Sequence, residues 1–198
     1  MDRDKQILSR ESRAVQNARR KDMRSIDVRE AHPDDVDAMR EVQHLTWVAT
    51  YPNEVYGITK EDIEARFREN PETTEERRER RRRYVRTAPF HSWVALEGRD
   101  LIGFCTIKQD EHEYLIQALY VLPDYQNKGV GKRLLQTVLD WFGQEKEVVL
   151  NVASYNEKAI AFYRAFGFVP NGPVASSEAL QLPSGVRLPE IKMVKRGS

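Results

Sequence analysis

The stretch Leu119-Tyr120-Val121-Leu122-Pro123-Asp124-Tyr125-Gln126-Asn127-Lys128-Gly129-Val130-Gly131-Lys132-Arg133-Leu134-Leu135 decides the fold. It begins as the end of an apolar strand, breaks at Pro123-Asp124, passes a glycine pair and continues with the spacing of an amphipathic helix. A helix start leaves backbone N–H groups unpaired and carries the positive end of the helix dipole. Gly129 and Gly131 remove side chains where a phosphate would approach, and Lys128 and Lys132 add positive charge at the same end. The strand end beside Val121 to Pro123 offers free backbone groups, to which an extended, amide-bearing ligand can pair like an extra strand. By itself such a segment is also an ordinary strand-to-helix turn. The dinucleotide and Walker fingerprints do not fit it, because both need further glycines or a Gly-Lys-Ser/Thr ending.

Downstream lies Leu150-Asn151-Val152-Ala153-Ser154-Tyr155-Asn156, followed by Glu157 to Phe166 and Gly167-Phe168. Asn156 is a natural helix N-cap, and Gly167 suits the residue after a helix end. Tyr163 follows Asn156 by two helical turns and shares its face, with the small Ala159 between them. An amide, a gap and a phenol therefore line one wall. Taken singly, each has a plain structural role as cap, helix former and core tyrosine.

Working outward, Ser25 to Arg29 alternates like a strand. Pro33-Asp34-Asp35 opens a helix to about Val48, with Val36, Met39, Val42 and Leu45 on one face. Thr59 to Asp62 resembles a capping box for a helix through Phe67 that ends at Asn70-Pro71. The segment Thr74 to about Thr87 holds seven arginines between Arg77 and Arg86. It is either a phosphate-binding face or a solvated, ion-paired helix; Glu75, Glu76 and Glu79 at helical spacing favour the second. His91 to Leu96 and Leu101 to Lys108 read as a hairpin around Glu97-Gly98-Arg99-Asp100, and Tyr114 to Leu122 as the next strand. Val130 to Phe142 is a helix, Glu147 to Val152 a near-continuous apolar strand, and strands near Phe168 and at Pro189 to Lys195 close the chain.

The chain has 198 residues, a net charge of +1 and one cysteine. The length suits one domain over 25–198. The charge balance gives no reason to expect a nucleic-acid partner, and no apolar stretch is long enough for a membrane span. The single Cys105, in an apolar run, reads as a buried strand residue and fits a reducing cytoplasm. Residues 1–24 carry eight Lys/Arg against four Asp/Glu and read as a solvated or helical arm.

Gln126-x-x-Gly129-x-Gly131 together with the Asn156–Tyr163 element resembles the GNAT superfamily of N-acetyltransferases, over roughly residues 25–196. The resemblance implies a mixed α/β domain with a central, mostly antiparallel twisted sheet, flanking helices and a splayed strand pair at the coenzyme site. It implies acetyl-CoA as cosubstrate and no metal. Leu119, Tyr120, Val121, Gln126, Asn127, Lys128, Gly129, Val130, Gly131, Lys132, Asn156, Ala159 and Tyr163 would contact the coenzyme, and Tyr163 would protonate the departing thiolate. Gln117 stands where relatives place a glutamate base, so Glu113 or His112 at the start of that strand is the replacement candidate, exposed turn residues being the other reading. Trp47, Thr50 and Tyr51 resemble the acceptor-side segment, with core packing as the competing reading. The expected acceptor is a small-molecule amine such as a polyamine or amino acid. The alternatives are a protein N-terminus or a non-catalytic coenzyme-binding regulator. A homodimer is compatible with the family.

Overall fold

The computed structural model describes residues 26–68, 74–85, 87–143 and 146–197. The arm expected over 1–24 lies outside the described residues. The elements are β1 (Ile26–Glu30), a 3₁₀ turn at Pro33–Asp35, α1 (Val36–Thr50), a second 3₁₀ turn at Glu54–Tyr56, α2 (Lys60–Phe67) and α3 (Thr74–Tyr84), then β2 (Phe90–Glu97), β3 (Asp100–Gln109) and β4 (Glu113–Val121). After them come α4 (Val130–Phe142), β5 (Glu147–Ala153), α5 (Glu157–Ala165), β6 (Val169–Pro173) and β7 (Glu190–Lys195).

The caps follow the chemistry of the sequence. Thr59 Oγ1 accepts the Asp62 N–H at 3.1 Å, and Asn156 Oδ1 accepts the Ala159 N–H at 3.1 Å. Asp35 accepts the His32 N–H at 2.6 Å and two hydrogen bonds from Arg29 at 2.7 and 2.9 Å, which fix the entry into α1. The first helix differs from expectation at both ends: it opens with a 3₁₀ turn and runs on to Thr50. Tyr51 keeps helical backbone and donates its N–H to the Trp47 carbonyl at 3.0 Å, and Pro52, which has no N–H to donate, ends the ladder there. The arginine-rich helix stops at Tyr84, short of the expected Thr87, and Val85 after it is 5 % exposed.

The seven strands run β1-β2-β3-β4-β5-β7-β6, and the β4–β5 pair is parallel while the other pairs are antiparallel. Parallel neighbours need a crossover, which α4 supplies. Side chains alternate between two apolar layers. Trp93 and Ala95 of β2 join Leu134, Leu135, Val138 and Tyr163 on the face of α4 and α5. Val94 and Phe104 join Val36, Met39 and Val42 of α1 on the other. Trp93 and Cys105 are core residues, as their sequence context implies, at 4 % and 0 % exposure.

Two bulges bend this sheet. Ala95 faces Gly103 while Leu96 faces Leu101, leaving Ile102 as an extra residue of β3. Thr106 faces Ala118 while Ile107 faces Ile116, leaving Gln117 as an extra residue of β4. An unpaired extra residue bends its strand and sharpens the twist. The β4–β5 ladder ends at Ile116–Leu150, immediately before the second bulge, and beyond it the two strands diverge.

Gly103 sits where β3 passes β4 most closely, and a Cβ there would lie 2.9 Å from the Tyr120 carbonyl oxygen. That neighbour is backbone and cannot swing aside. Gly103→Ala is therefore expected to lower stability by about 1–3 kcal/mol, measured as the shift in denaturant midpoint at unchanged m-value.

Candidate active site

The divergence of β4 and β5 opens a cleft of about 700 Å³. One wall is β4 from Ile116 to Val121, the other is Asn151, Val152, Tyr155 and the face of α5. The Gln126–Lys132 turn closes one end and the end of α1 the other. Leu122 N–H bonds the Ile102 carbonyl of β3, so by strand alternation the N–H groups of Leu119 and Val121 point away from β3, into the split. Thr46 Oγ1 and Gln126 Nε2 both donate to the Val121 carbonyl, at 3.3 and 3.2 Å. They tie α1 and the glycine turn to this strand edge.

The turn itself is built for close approach. Asn127 (φ 60°) and Gly129 (φ 85°) take left-handed backbone, which aims the chain into α4. The helix opens without a side-chain cap, and its first internal bond runs from the Arg133 N–H to the Gly129 carbonyl at 3.0 Å. The N–H groups of Val130, Gly131 and Lys132 are thus left for another acceptor. A Cβ on Gly131 would lie 3.7 Å from both Phe162 and Val121, inside the cleft yet free of any clash. An uncapped helix start, glycines that keep the approach open and Lys132 on the rim together suit a pyrophosphate.

Across the cleft, the Asn156 cap begins α5, and Ala159, Phe162 and Tyr163 face inward. Tyr163 is 8 % exposed, its ring packed edge-on against Phe162 and Phe168. Burial, with Cys105 and Tyr120 nearby, raises its pKa far above that of an ordinary phenol. Two further phenols line the cleft near the end of α1. Tyr51 is raised by burial and by Tyr120 and Tyr163, and Tyr155, raised mainly by burial, is pushed up to about 12. The Tyr155 hydroxyl donates to the Tyr51 carbonyl at 2.8 Å, joining the β5–α5 corner to the end of α1.

Most of the expected residues meet here. Tyr51, Gln117, Leu119, Tyr120, Val121, Gln126, Asn127, Gly129, Gly131, Lys132, Asn156, Ala159 and Tyr163 all line the cleft. Four do not. Glu113 lies at the paired end of β4, opposite Glu147, and its Oε2 is 3.5 Å from Lys192 Nζ. The register of β4 holds it on the closed side of the split. Val130 is 0 % exposed in the core, so only its backbone N–H can serve a ligand. Lys128 Nζ stands 5.1 Å over the Tyr125 ring. Trp47 is 3 % exposed and enclosed by Tyr51, Phe67 and Tyr120, with Arg66 5.0 Å over its ring. No face of it remains to hold a cationic amine. Sequence reading missed Thr46, Asn151, Tyr155 and Phe162. The stripe of Thr46, Ala49 and Thr50 at helical spacing is the signal that could have found the first. Nothing local marks the others.

Three arginines of α3 are ion-paired, as its glutamates suggest. Arg78 meets Asp37 at 3.1 Å and Glu75 at 3.3 Å, and Arg82 and Arg83 meet Glu79 at 3.8 and 3.6 Å. Among the described residues no cluster of three or more His, Cys, Asp or Glu could hold a metal ion, and no helix is long and apolar enough to cross a membrane.

Comparison with known proteins converges on one family. Residues 53–168 match the family described as "Acetyltransferase (GNAT) family". The chain is 36% identical over 86 residues to the N-alpha-acetyltransferase RimI of Mycobacterium tuberculosis, covering 41% of this chain and 54% of the relative. It is 33% identical over 94 residues to N-alpha-acetyltransferase 30 of Schizosaccharomyces pombe, covering 44% and 63%. It is 34% identical over 92 residues to the peptidyl-lysine N-acetyltransferase YjaB of Escherichia coli, covering 46% and 56%. The chain thus spans between about half and just under two thirds of the length of these relatives. In fold it is similar to the PaiA N-acetyltransferase of Thermoplasma acidophilum, solved in complex with coenzyme A, with a TM-score of 0.67 at 24% identity over 87% of this chain and 99% of that one. The split sheet, the glycine turn and the sequence match lead to the same conclusion: the chain belongs to the GNAT family of acetyltransferases.

Proposed function

We propose that this protein moves an acetyl group from acetyl-CoA to a primary amine of a polypeptide. The observation that carries the transfer reaction is the cleft itself, in which unpaired strand-edge amides, an uncapped helix N-terminus and a buried phenol share one cavity. When bound, acetyl-CoA supplies the activated acetyl as a thioester. The N–H groups of Val130 to Lys132 take the pyrophosphate, with Lys132 neutralising charge. The strand edge at Leu119 and Val121 pairs with the pantetheine amides and polarises the carbonyl. Asn156 and Ala159 leave room along α5, and Tyr163 hands its proton to sulfur. A phenol is protonated at neutral pH, so the proton is present, and the thiolate takes it against the rise in pKa that burial imposes.

The acceptor must arrive as a neutral amine. Gln117 cannot take a proton, but it projects at the bulge into the solvent-open part of the cleft. There it holds a water that carries the amine proton out. A polypeptide acceptor is favoured over a free polyamine by the relatives named above, two of them N-alpha-acetyltransferases and one a peptidyl-lysine N-acetyltransferase.

Two variants test this reading. Gly131→Ala introduces a methyl that the fold accepts without clash, and alanine is favoured over glycine in a helix by up to about 1 kcal/mol. Melting temperature should hold or rise while the calorimetric Kd for acetyl-CoA rises at least ~10-fold, about 1.4 kcal/mol; an unchanged Kd removes the pyrophosphate assignment. Tyr163→Phe keeps the ring but removes the proton donor. Turnover should fall by ~10²–10⁴-fold with coenzyme affinity nearly unchanged and about 1 kcal/mol or less of stability lost. Acetyl thiophenol-type donors, whose leaving group needs no proton, should rescue it. A purely structural tyrosine gives the reverse pattern, with lower stability and full turnover per folded molecule.

A further inference from the structure

A second, more open pocket of about 600 Å³ lies between the end of α2 and the loop that precedes β7, lined by Arg66, Arg68, Arg77, Gln181, Leu182 and Gly185 among others. Three arginines line it, and among the described residues no carboxylate does. All three side chains are exposed, and among the described residues none forms an ion pair. This contrasts with the rest of the arginine-rich region. Arg78, Arg82 and Arg83 of the same helix as Arg77 are engaged by Asp37, Glu75 and Glu79. Gathering three like charges around one cavity is unfavourable unless an anion sits among them, and guanidinium groups match the planar fork of a carboxylate.

The pocket is joined to the catalytic cleft through packed rings. Arg66 lies 5.0 Å over the Trp47 ring, Trp47 is 6.4 Å from Tyr120, and Tyr120 lines the cleft. Leu182, on the pocket wall, belongs to the same apolar cluster as Trp47 and Phe67. The loop segment is held in place rather than loose. Arg187 donates to the Ala179 carbonyl at 2.9 Å, Leu182 N–H to Val186 at 2.8 Å, and Glu190 accepts the Leu180 N–H at 3.2 Å.

We propose that this arginine-lined pocket is a specificity subsite that takes an acidic side chain of the polypeptide acceptor, a few residues along from the amine that is acetylated. The proposal rests on the polypeptide reading above and names the substrate class of that site.

The test uses the full chain, acetyl-CoA and matched peptides that carry one Asp at successive positions from the reacting amine, each against its Asn counterpart. KM should be about five- to ten-fold lower for Asp than for Asn at one position of the series, with kcat little changed, and the advantage should shrink as salt rises. In the Arg68→Gln/Arg77→Gln double variant the Asp-to-Asn ratio should collapse toward one. Arg68→Lys/Arg77→Lys, which keeps the charge, should retain part of it. Peptides turned over with no acid preference, or with a preference that survives the double Gln variant, overturn the subsite and leave the polypeptide reading standing. Turnover of free polyamines or amino acids but of no peptide overturns both. In that case calorimetry with inorganic phosphate and with the acidic peptide should detect no binding that the double Gln variant loses.

Discussion

The extra residue at Gln117 is the constraint on which the rest of this structure depends. A parallel pair in the middle of a sheet would ordinarily stay hydrogen-bonded along its length, because a buried strand edge without partners is costly. Here the bulge turns the last part of β4 away from β5 just where their ladder ends. The edge that results is left open for a ligand, with only the Val121 carbonyl claimed by Thr46 and Gln126. Polar edge and surrounding apolar walls together make a site for a long molecule that carries amides at intervals.

The neighbouring elements then take their places around that edge. The β4–α4 turn must reverse direction within a few residues, and the left-handed backbone at Asn127 and Gly129 accomplishes it. The same geometry aims the uncapped start of α4 at the cleft, so backbone conformation and anion affinity have one cause. On the far wall, the Asn156 cap sets the rotation of α5, and that rotation delivers Tyr163 to the divergence point. Its burial against Phe168 and Cys105 disfavours the phenolate.

The α1 end of the cleft is organised by aromatic packing. Trp47 anchors α1 to α2 and to the loop before β7 through Phe67, Tyr120 and Leu182. It therefore sets the distance between the reacting end of the cleft and the arginine-lined surface beyond it. Charge is divided along α3 in a similar way, with some arginines locked to carboxylates and one turned toward the loop.

Local chemistry carried much of this on its own. The helix and strand order, the glycine turn, the Asn156 cap and the inward face of α5 follow from short-range periodicity and capping, which need only a few neighbouring residues. Glu113 shows where that reach ends: its position is fixed by β-ladder register, and pairing with β5 and the contact with Lys192 put it on the closed side. Trp47 gives the same lesson, since aromatic residues at a helix end serve a pocket or a core equally well until the packing partners are known. The bulge at Gln117, the entry of Thr46 and Tyr155 into the cleft and the meeting of Arg66, Arg68 and Arg77 all join segments distant in the chain. Tertiary structure alone decided those, because strand pairing and helix docking, rather than local preference, determine which distant side chains share a cavity.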